Sequence, residues 1–479
     1  MLNRMNIKII NKLTIAVFLL LVSFGYAQQK VKYVFLFIGD GMGDNSIYAT
    51  ELYRAAFSGK ERYEPLTFSQ FPVQSFMTTY SANSLTTDSS ASATAMATGE
   101  KTNNHMVGID PELKISFETI AEKAKKAGFK VGILSSVAID HATPAGFYAH
   151  VEKRGDYNKI ALQLPLSNFD YFAGGGVHDI GSKSDPKSVI NKLDKYGYKY
   201  VTTAKEIKKL KKGDTKIIAV NPGTYSGREY YWEIDKRSES IPLSYLTKKG
   251  IELIDNDKGF FMMVEGGKID WALHSNDFGT TIYEITAFDD AIKEAVKFYN
   301  QHKEETIIIV TADHETGGLA LGSNTSKGLK LGVLENQKIS AQEFERKLKN
   351  LKEQNRKISF EEILDLVKIN FGLGDKEKGL ELTKAEKKWL FDAYENEFVQ
   401  LREVNPDRDY LDHSADKPLT LRVITILGAK AGIAWATEGH TGAKVPVKVL
   451  GVGQNFFTAT IDNTDIAKII MKLMGLSNH

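Results

Sequence analysis

The chain has 479 residues, 42% of them hydrophobic and 25% charged, a composition that suits one large globular unit and excludes a disordered or fibrous protein. Its formal charge of +2 gives no signal for a nucleic-acid partner. The absence of cysteine excludes a disulfide framework and a lipid anchor attached through cysteine.

Arg4, Lys8 and Lys12 precede an apolar run from Leu13 to Phe24, and Gly25 and Ala27 flank Tyr26 before Gln28. This is the layout of a secretory signal peptide over 1–27, and the run is too short to span a bilayer comfortably. The expectation is therefore an exported protein, periplasmic or secreted, without a membrane anchor. Removal of the leader takes three basic residues and no acidic one, which leaves the mature chain close to neutral.

Val34 to Ile38 is a continuous apolar run, as in a strand buried on both faces, and the turn residues Gly39-Asp40-Gly41 follow it. Val131–Leu134, Phe260–Val264, Thr306–Val310 and Val447–Val452 read as further strands. Ser116–Ala127 and Tyr283–Tyr299 read as helices between them. The alternation predicts an α/β fold with a mostly parallel sheet flanked by helices. In such sheets ligands gather beyond the carboxyl ends of the strands. Gly174-Gly175-Gly176 reads as a strand-end turn, because no helix with a P-loop lysine follows.

From about 323 to 417 the rhythm changes. Ser340-x-x-Glu343, Ser359-x-x-Glu362 and Thr383-x-x-Glu386 are capping-box signals for three helices. Phe360, Ile363, Leu364 and Val367 follow with amphipathic spacing, so this stretch is an ordered helical insertion.

The residues that carry chemistry cluster near strand ends. In the segment from Thr86 to Gly99, Asp88 is placed to cap a helix of small residues, with Ser89 in its first turn, where free amides and the helix dipole suit a phosphoryl group. Asp40 follows the first strand, and Glu265 follows FFMMV. Asp270 and His274 are spaced i, i+4, so a helix would place them on one side. Asp313-His314 ends a strand, and His440 precedes another. Mixed carboxylates and imidazoles suit zinc, and an all-oxygen subset suits magnesium.

Six blocks occur in order: GDGMG at 39–43, DSSASATA at 88–95, HATPAGFYAHVEKR at 141–154, EGGKIDWALH at 265–274, TADH at 311–314 and EGHTG at 438–442. In these the chain resembles the alkaline phosphatase family through nearly all of 28–479 outside the insertion. The resemblance implies one catalytic domain that hydrolyses small phosphate monoesters through a phosphoserine at Ser89. It implies two Zn2+ ions, the first held by Asp270, His274 and His440 and the second by Asp40, Asp313, His314 and Ser89. It also implies one Mg2+ held by Asp40, Thr143 and Glu265, and Arg154 as the phosphate-binding arginine. Many family members are homodimers, so the resemblance admits a homodimer here.

Two positions depart from the family pattern. His141 stands where some members have an aspartate beside the magnesium, and Trp271 where they have a lysine or histidine. The first change predicts weaker magnesium retention, the second weaker product binding. Two rival readings are phosphodiester or sulfate-ester hydrolysis on the same scaffold, and a non-catalytic phosphate or zinc binder.

Overall fold

The computed structural model describes residues 31–58, 63–185, 187–225, 228–235, 237–322, 328–354, 357–400 and 418–476. The expected leader, 1–27, lies outside the described residues, as do parts of the 323–417 stretch.

Ten strands form one sheet: β1 (Tyr33–Gly39), β2 (Val73–Thr78), β3 (Lys130–Ser135), β4 (Tyr171–Gly174), β5 (Lys199–Val201), β6 (Ile217–Val220), β7 (Phe260–Gly266), β8 (Thr306–Thr311), β9 (Val445–Gly451) and β10 (Ile461–Asp462). Their spatial order is β10-β2-β9-β8-β1-β7-β3-β4-β6-β5. β9 is antiparallel to both neighbours, β8 and β2, and every other pairing in the sheet is parallel. The sheet is thus mostly parallel, as the apolar runs predict.

Every residue of β1, β7 and β8 is buried, which explains why these strands read as unbroken apolar runs without alternation. The last strand begins at Val445, two residues before the expected start, and its reversed direction matters. Its amino end lies at the same edge as the carboxyl ends of its neighbours, so His440, just before it, arrives at that edge too.

The two expected helices differ at their starts. The first covers Ile120–Lys126 because Thr119 caps it in a reciprocal box with Glu122, while Ser116 pairs in a bridge with Ile109. The second covers Phe278–Tyr299 and starts five residues early, capped by Asp277. The three glycines after β4 are a turn: Gly175 N donates to Val137 O and Gly176 O accepts from Ile139 N. A Cβ at Gly175 would sit 2.0 Å from Arg228 O, so backbone and not phosphate fills that space.

Three helices start at the expected caps: Ala341–Glu353, Phe360–Phe371 and Lys384–Tyr394. Ser359 and Thr383 form reciprocal boxes with Glu362 and Glu386. Ser340 caps its helix alone, because Glu343 turns to Arg346 and the Ser340 N–H donates to Asp235 instead. Phe344, Leu348, Ile363, Val367, Phe371 and Leu390 form a second hydrophobic cluster. Val423 and Leu427 of the helix Leu419–Ala431 belong to it, as do Phe278 and Ile282. These helices therefore share their core with the helix that flanks the sheet.

Asp277 fastens this junction. Its carboxylate accepts from Thr280 N, Thr280 Oγ1, Gln337 Nε2 and Ala341 N, and it is 1% exposed. Asp277→Ala is expected to cost about 2–4 kcal/mol, since several buried donors lose their acceptor together. A thermal-shift measurement showing no change would contradict that role.

Candidate active site

The site lies along the carboxyl edge of the sheet. β1 delivers Asp40 directly, β7 carries Glu265 as its penultimate residue, and β8 is followed by Asp313 and His314. Gly41 lets the chain turn sharply after Asp40, with φ at +70°. A Cβ there would lie 2.7 Å from Asp270 Oδ1 and 2.8 Å from Thr316 Oγ1, so only glycine fits. Its N–H donates to Asp313 Oδ1 at 3.1 Å.

Ser89 opens the helix Ser89–Thr98, all of whose residues are buried. Small side chains allow this: a Cβ on Gly146 would lie 2.8 Å from Ala93 Cβ, so the helix sits almost on the neighbouring backbone. Asp88 caps it by accepting from Ala91 N at 3.0 Å. Its other oxygen accepts from Ser90 Oγ at 2.7 Å and from Arg154 Nη1 at 3.0 Å. Burial opposes ionisation, but the Arg154 charge and these hydrogen bonds outweigh it and hold the Asp88 carboxyl below its usual range. One carboxylate thus fixes both the helix start and the arginine.

Ser89 Oγ lies 3.3 Å from His314 Nε2. That nitrogen is also 3.2 Å from Asp313 Oδ2 and 3.4 Å from Asp40 Oδ1. On the adjoining side, the helix Lys268–His274 brings His274 Nε2 to 3.2 Å from Asp270 Oδ2, as the i, i+4 spacing predicts. His274 Nε2 also lies 3.1 Å from His440 Nε2, and the rings of His440 and His314 stack at 3.6 Å. The expected ligands of the two zinc positions therefore meet in two adjoining groups.

Three donor sets have their ligand atoms within 4.8 Å of one another: Asp40, Asp313 and His314; Asp270, His314 and His440; and Asp40, His141 and Glu265. The last two depart from the sequence expectation: His314, not His274, completes the set with Asp270 and His440, and in the last His141 joins Asp40 and Glu265. His141 is itself a member of the set and not merely a neighbour of it. Its Nε2 faces Arg154 Nη2 at 3.4 Å.

Both Asp40 oxygens, Asp313 Oδ2, Glu265 Oε1, Thr143 Oγ1 and His141 Nδ1 are buried without a hydrogen bond of normal geometry among the described residues. Such a concentration of orphaned acceptors is costly unless cations satisfy it. Burial and the charges of Asp313, Asp270 and Glu265 push Asp40 far above its ordinary range. Burial pushes Glu265 up to about 7 and, with Asp270, Asp313 up to about 6. Burial lowers His314 and His440 to about 4, which keeps both imidazoles neutral and able to ligate. The residues fit divalent metal ions.

Several partners were not legible beforehand. Thr316 Oγ1 donates to Asp270 Oδ1 at 2.6 Å and lies 3.2 Å from His314 Nδ1. The Glu438 carbonyl orients His274 and the Thr87 carbonyl orients His440, each through Nδ1. Ser135 Oγ donates to Glu265. Carbonyl partners leave no sequence signal, although Thr316 falls in the turn just after the TADH block. Trp271 meets the ring of His141, a member of the third donor set, edge-on at 5.8 Å.

The family profile described as "Alkaline phosphatase" matches residues 31–476. Alkaline phosphatase 3 of Bacillus subtilis (strain 168) is 31% identical over 460 residues, covering 93% of this chain and 90% of that protein. The cold-active alkaline phosphatase of the psychrophile Shewanella sp. is a similar solved structure, with a TM-score of 0.75 at 28% identity, covering 92% of this chain and 99% of that one. A histidine-to-aspartate variant of TAB5 alkaline phosphatase, solved with Mg bound in its M3 site, shares the fold at 24% identity with a TM-score of 0.63, covering 94% of this chain and 100% of that one.

Proposed function

Because the chain belongs to the alkaline phosphatase family, whose members are phosphoric monoester hydrolases, we propose that it cleaves phosphate monoesters through a covalent phosphoserine at Ser89. The observation that carries this reading is the Ser89 hydroxyl at a helix N-terminus, 3.3 Å from His314 Nε2, in a cluster of orphaned buried carboxylates. On this reading Ser89 Oγ attacks phosphorus in line with the ester oxygen. Arg154 is set by Asp88 to donate two hydrogen bonds to the phosphoryl oxygens, and the free amides at the helix start add to that cradle.

Asp270, His274 and His440 would hold one Zn2+; Asp40, Asp313, His314 and Ser89 a second; and Asp40, Thr143 and Glu265, with His141, a Mg2+. Bound there, the metals would supply charge neutralisation at the attacking and leaving oxygens. The unit extends over 28–479 with its helical insertion at about 323–417, and the leader at 1–27 directs export to the periplasm or beyond. No described helix is long and apolar enough to cross a membrane.

The deciding experiment is hydrolysis of p-nitrophenyl phosphate at alkaline pH by the purified protein, after chelation and after zinc and magnesium are returned, with the bis-ester in parallel. The expected result is activity lost, then restored by both metals together, and much faster on the monoester. Preference for the diester, or inactivity in a metal-loaded protein, overturns the reading.

His141 leads to a second expectation. An imidazole suits zinc better than magnesium, so it lowers the preference of the third position for magnesium. His141→Asp is expected to tighten Mg2+ retention about tenfold or more, as coordination-shell changes commonly do. Unchanged magnesium dependence of activity would remove this role for His141.

A further inference from the structure

Beside the metal-ligand cluster lies a cavity of about 370 Å³, lined by Trp232, Trp271, Ser275, Gln342, Glu345 and Leu421 among others. That volume is in the range of small-molecule pockets. The helix Lys268–His274 joins it to the active site. Asp270 and His274 face the ligand cluster, whereas Trp271 and Ser275, also i, i+4, lie about 100° further round and line the cavity. Trp271 touches His141, and His141 reaches the phosphate arginine Arg154. A group departing from phosphorus on the Asp270 side therefore has this cavity as its neighbour.

The walls are prearranged. Trp232 is 5% exposed, and its Nε1 donates to Gln342 Oε1. The buried Lys268 Nζ sits 3.5 Å from the Trp232 ring centroid and donates to Tyr230 O at 2.8 Å. With its oxygen occupied, Gln342 offers its amide N–H groups. Glu345, three residues on along the same helix, offers acceptors. A donor and an acceptor thus stand side by side next to two indole rings. Glu345 is the one charged side chain among the described lining residues, so an acidic leaving group is repelled. A cation is disfavoured near Trp232, because Lys268 already covers one face of that ring.

We propose that this cavity is the leaving-group subsite and that it takes the flat base of a nucleoside 5′-monophosphate, stacked on Trp271 with its edge read by Gln342 and Glu345. This rests on the phosphatase reading above. In the reaction the P–O5′ bond breaks, Ser89 takes the phosphoryl group, and the nucleoside leaves with a proton on O5′. Water then releases phosphate from the serine, so nucleotide and water give nucleoside and phosphate. The insertion thus acquires a function, since its first helix reads the substrate.

The test compares kcat/KM for adenosine 5′-monophosphate, glycerol 3-phosphate and phosphocholine in the wild type and in Glu345→Ala, Gln342→Ala, Trp271→Ala and Trp271→Phe. Adenosine binding is followed by calorimetry on the metal-loaded full chain. The expected result is a preference for the nucleotide over glycerol 3-phosphate that falls about tenfold in Glu345→Ala and Trp271→Ala, the size of one lost hydrogen bond to a charged group or one lost stacking contact. Trp271→Phe should keep most of it, and adenosine binding should weaken in step. Hydrolysis of all three esters with ratios unmoved by any variant overturns the subsite alone. Loss confined to phosphocholine assigns the cavity to a cationic alkyl group and overturns it as well. No hydrolysis of any ester overturns the phosphatase reading and this role with it.

Discussion

Alanine at position 89 is expected to lower kcat/KM for p-nitrophenyl phosphate by on the order of 10⁴- to 10⁶-fold, the effect of removing a nucleophile whose surroundings stay intact. The neighbouring hydroxyls cannot substitute. Ser90 Oγ donates to Asp88 at 2.7 Å and Ser92 Oγ donates to the Asp313 carbonyl at 2.7 Å. Only Ser89 Oγ faces His314 Nε2. Alanine is also the better helix former, so the fold and the metal content should survive, which thermal melting and elemental analysis would check. The complementary observation is a phosphoryl adduct on the Ser89 peptide after an acid quench with substrate. Activity within tenfold of the wild type, or an adduct on Ser90, would show that the nucleophile has been misassigned.

Much of this centre was legible because its ligands follow strands that bury both faces. Unbroken runs such as VFLFI announce such strands, and Asp40, Glu265 and Asp313 each stand within three residues of the end of a run. The i, i+4 pair Asp270 and His274 was legible for a similar reason, since helical geometry alone brings them together. Other features depend on contacts that sequence does not encode. Nothing in Val445–Gly451 states that the strand runs backwards, yet that reversal delivers His440. The first capping signal kept its helix but lost its reciprocal bond, because Arg346 and Asp235 compete for the partners. The cavity joins Trp232, Trp271 and Gln342, which have no local pattern in common. His141 illustrates both sides: the motif places it near the third metal position, and only the packing makes it a member of the donor set.

Metal removal should reverse the way stability depends on pH. Asp40, Glu265, Asp270 and Asp313 are at most 5% exposed, and the Arg154 charge acts on Asp40. With each site at 1,000-fold its dissociation constant, bound metal stabilises by about 4 kcal/mol per site. Chelation should therefore lower Tm by on the order of 10 °C. Metal binding requires deprotonated ligands, so the loaded protein gains stability as pH rises.

The metal-free protein should behave oppositely in a defined window. Above about pH 7 the lowered histidines His141, His314 and His440 are largely neutral in both the folded and unfolded states, whereas His274, held up by Asp270, keeps its proton longer in the folded state and adds to the same slope as the carboxylates. Burial holds Glu265 up at about 7 and Glu284 up at about 8, so the folded chain keeps protons that the unfolded chain has lost, until Lys268, which burial lowers to about 8, offsets Glu284 at the top of the window. Stability then falls with rising pH from about 7 to about 8, because the folded state binds more protons. Below that window the lowered histidines oppose the carboxylates, and the slope flattens. Thermal melts of loaded and chelated protein across this range should diverge as pH rises. Parallel curves, or a Tm unmoved by chelation that removes all bound metal, would mean that the buried carboxylates do not rely on cations.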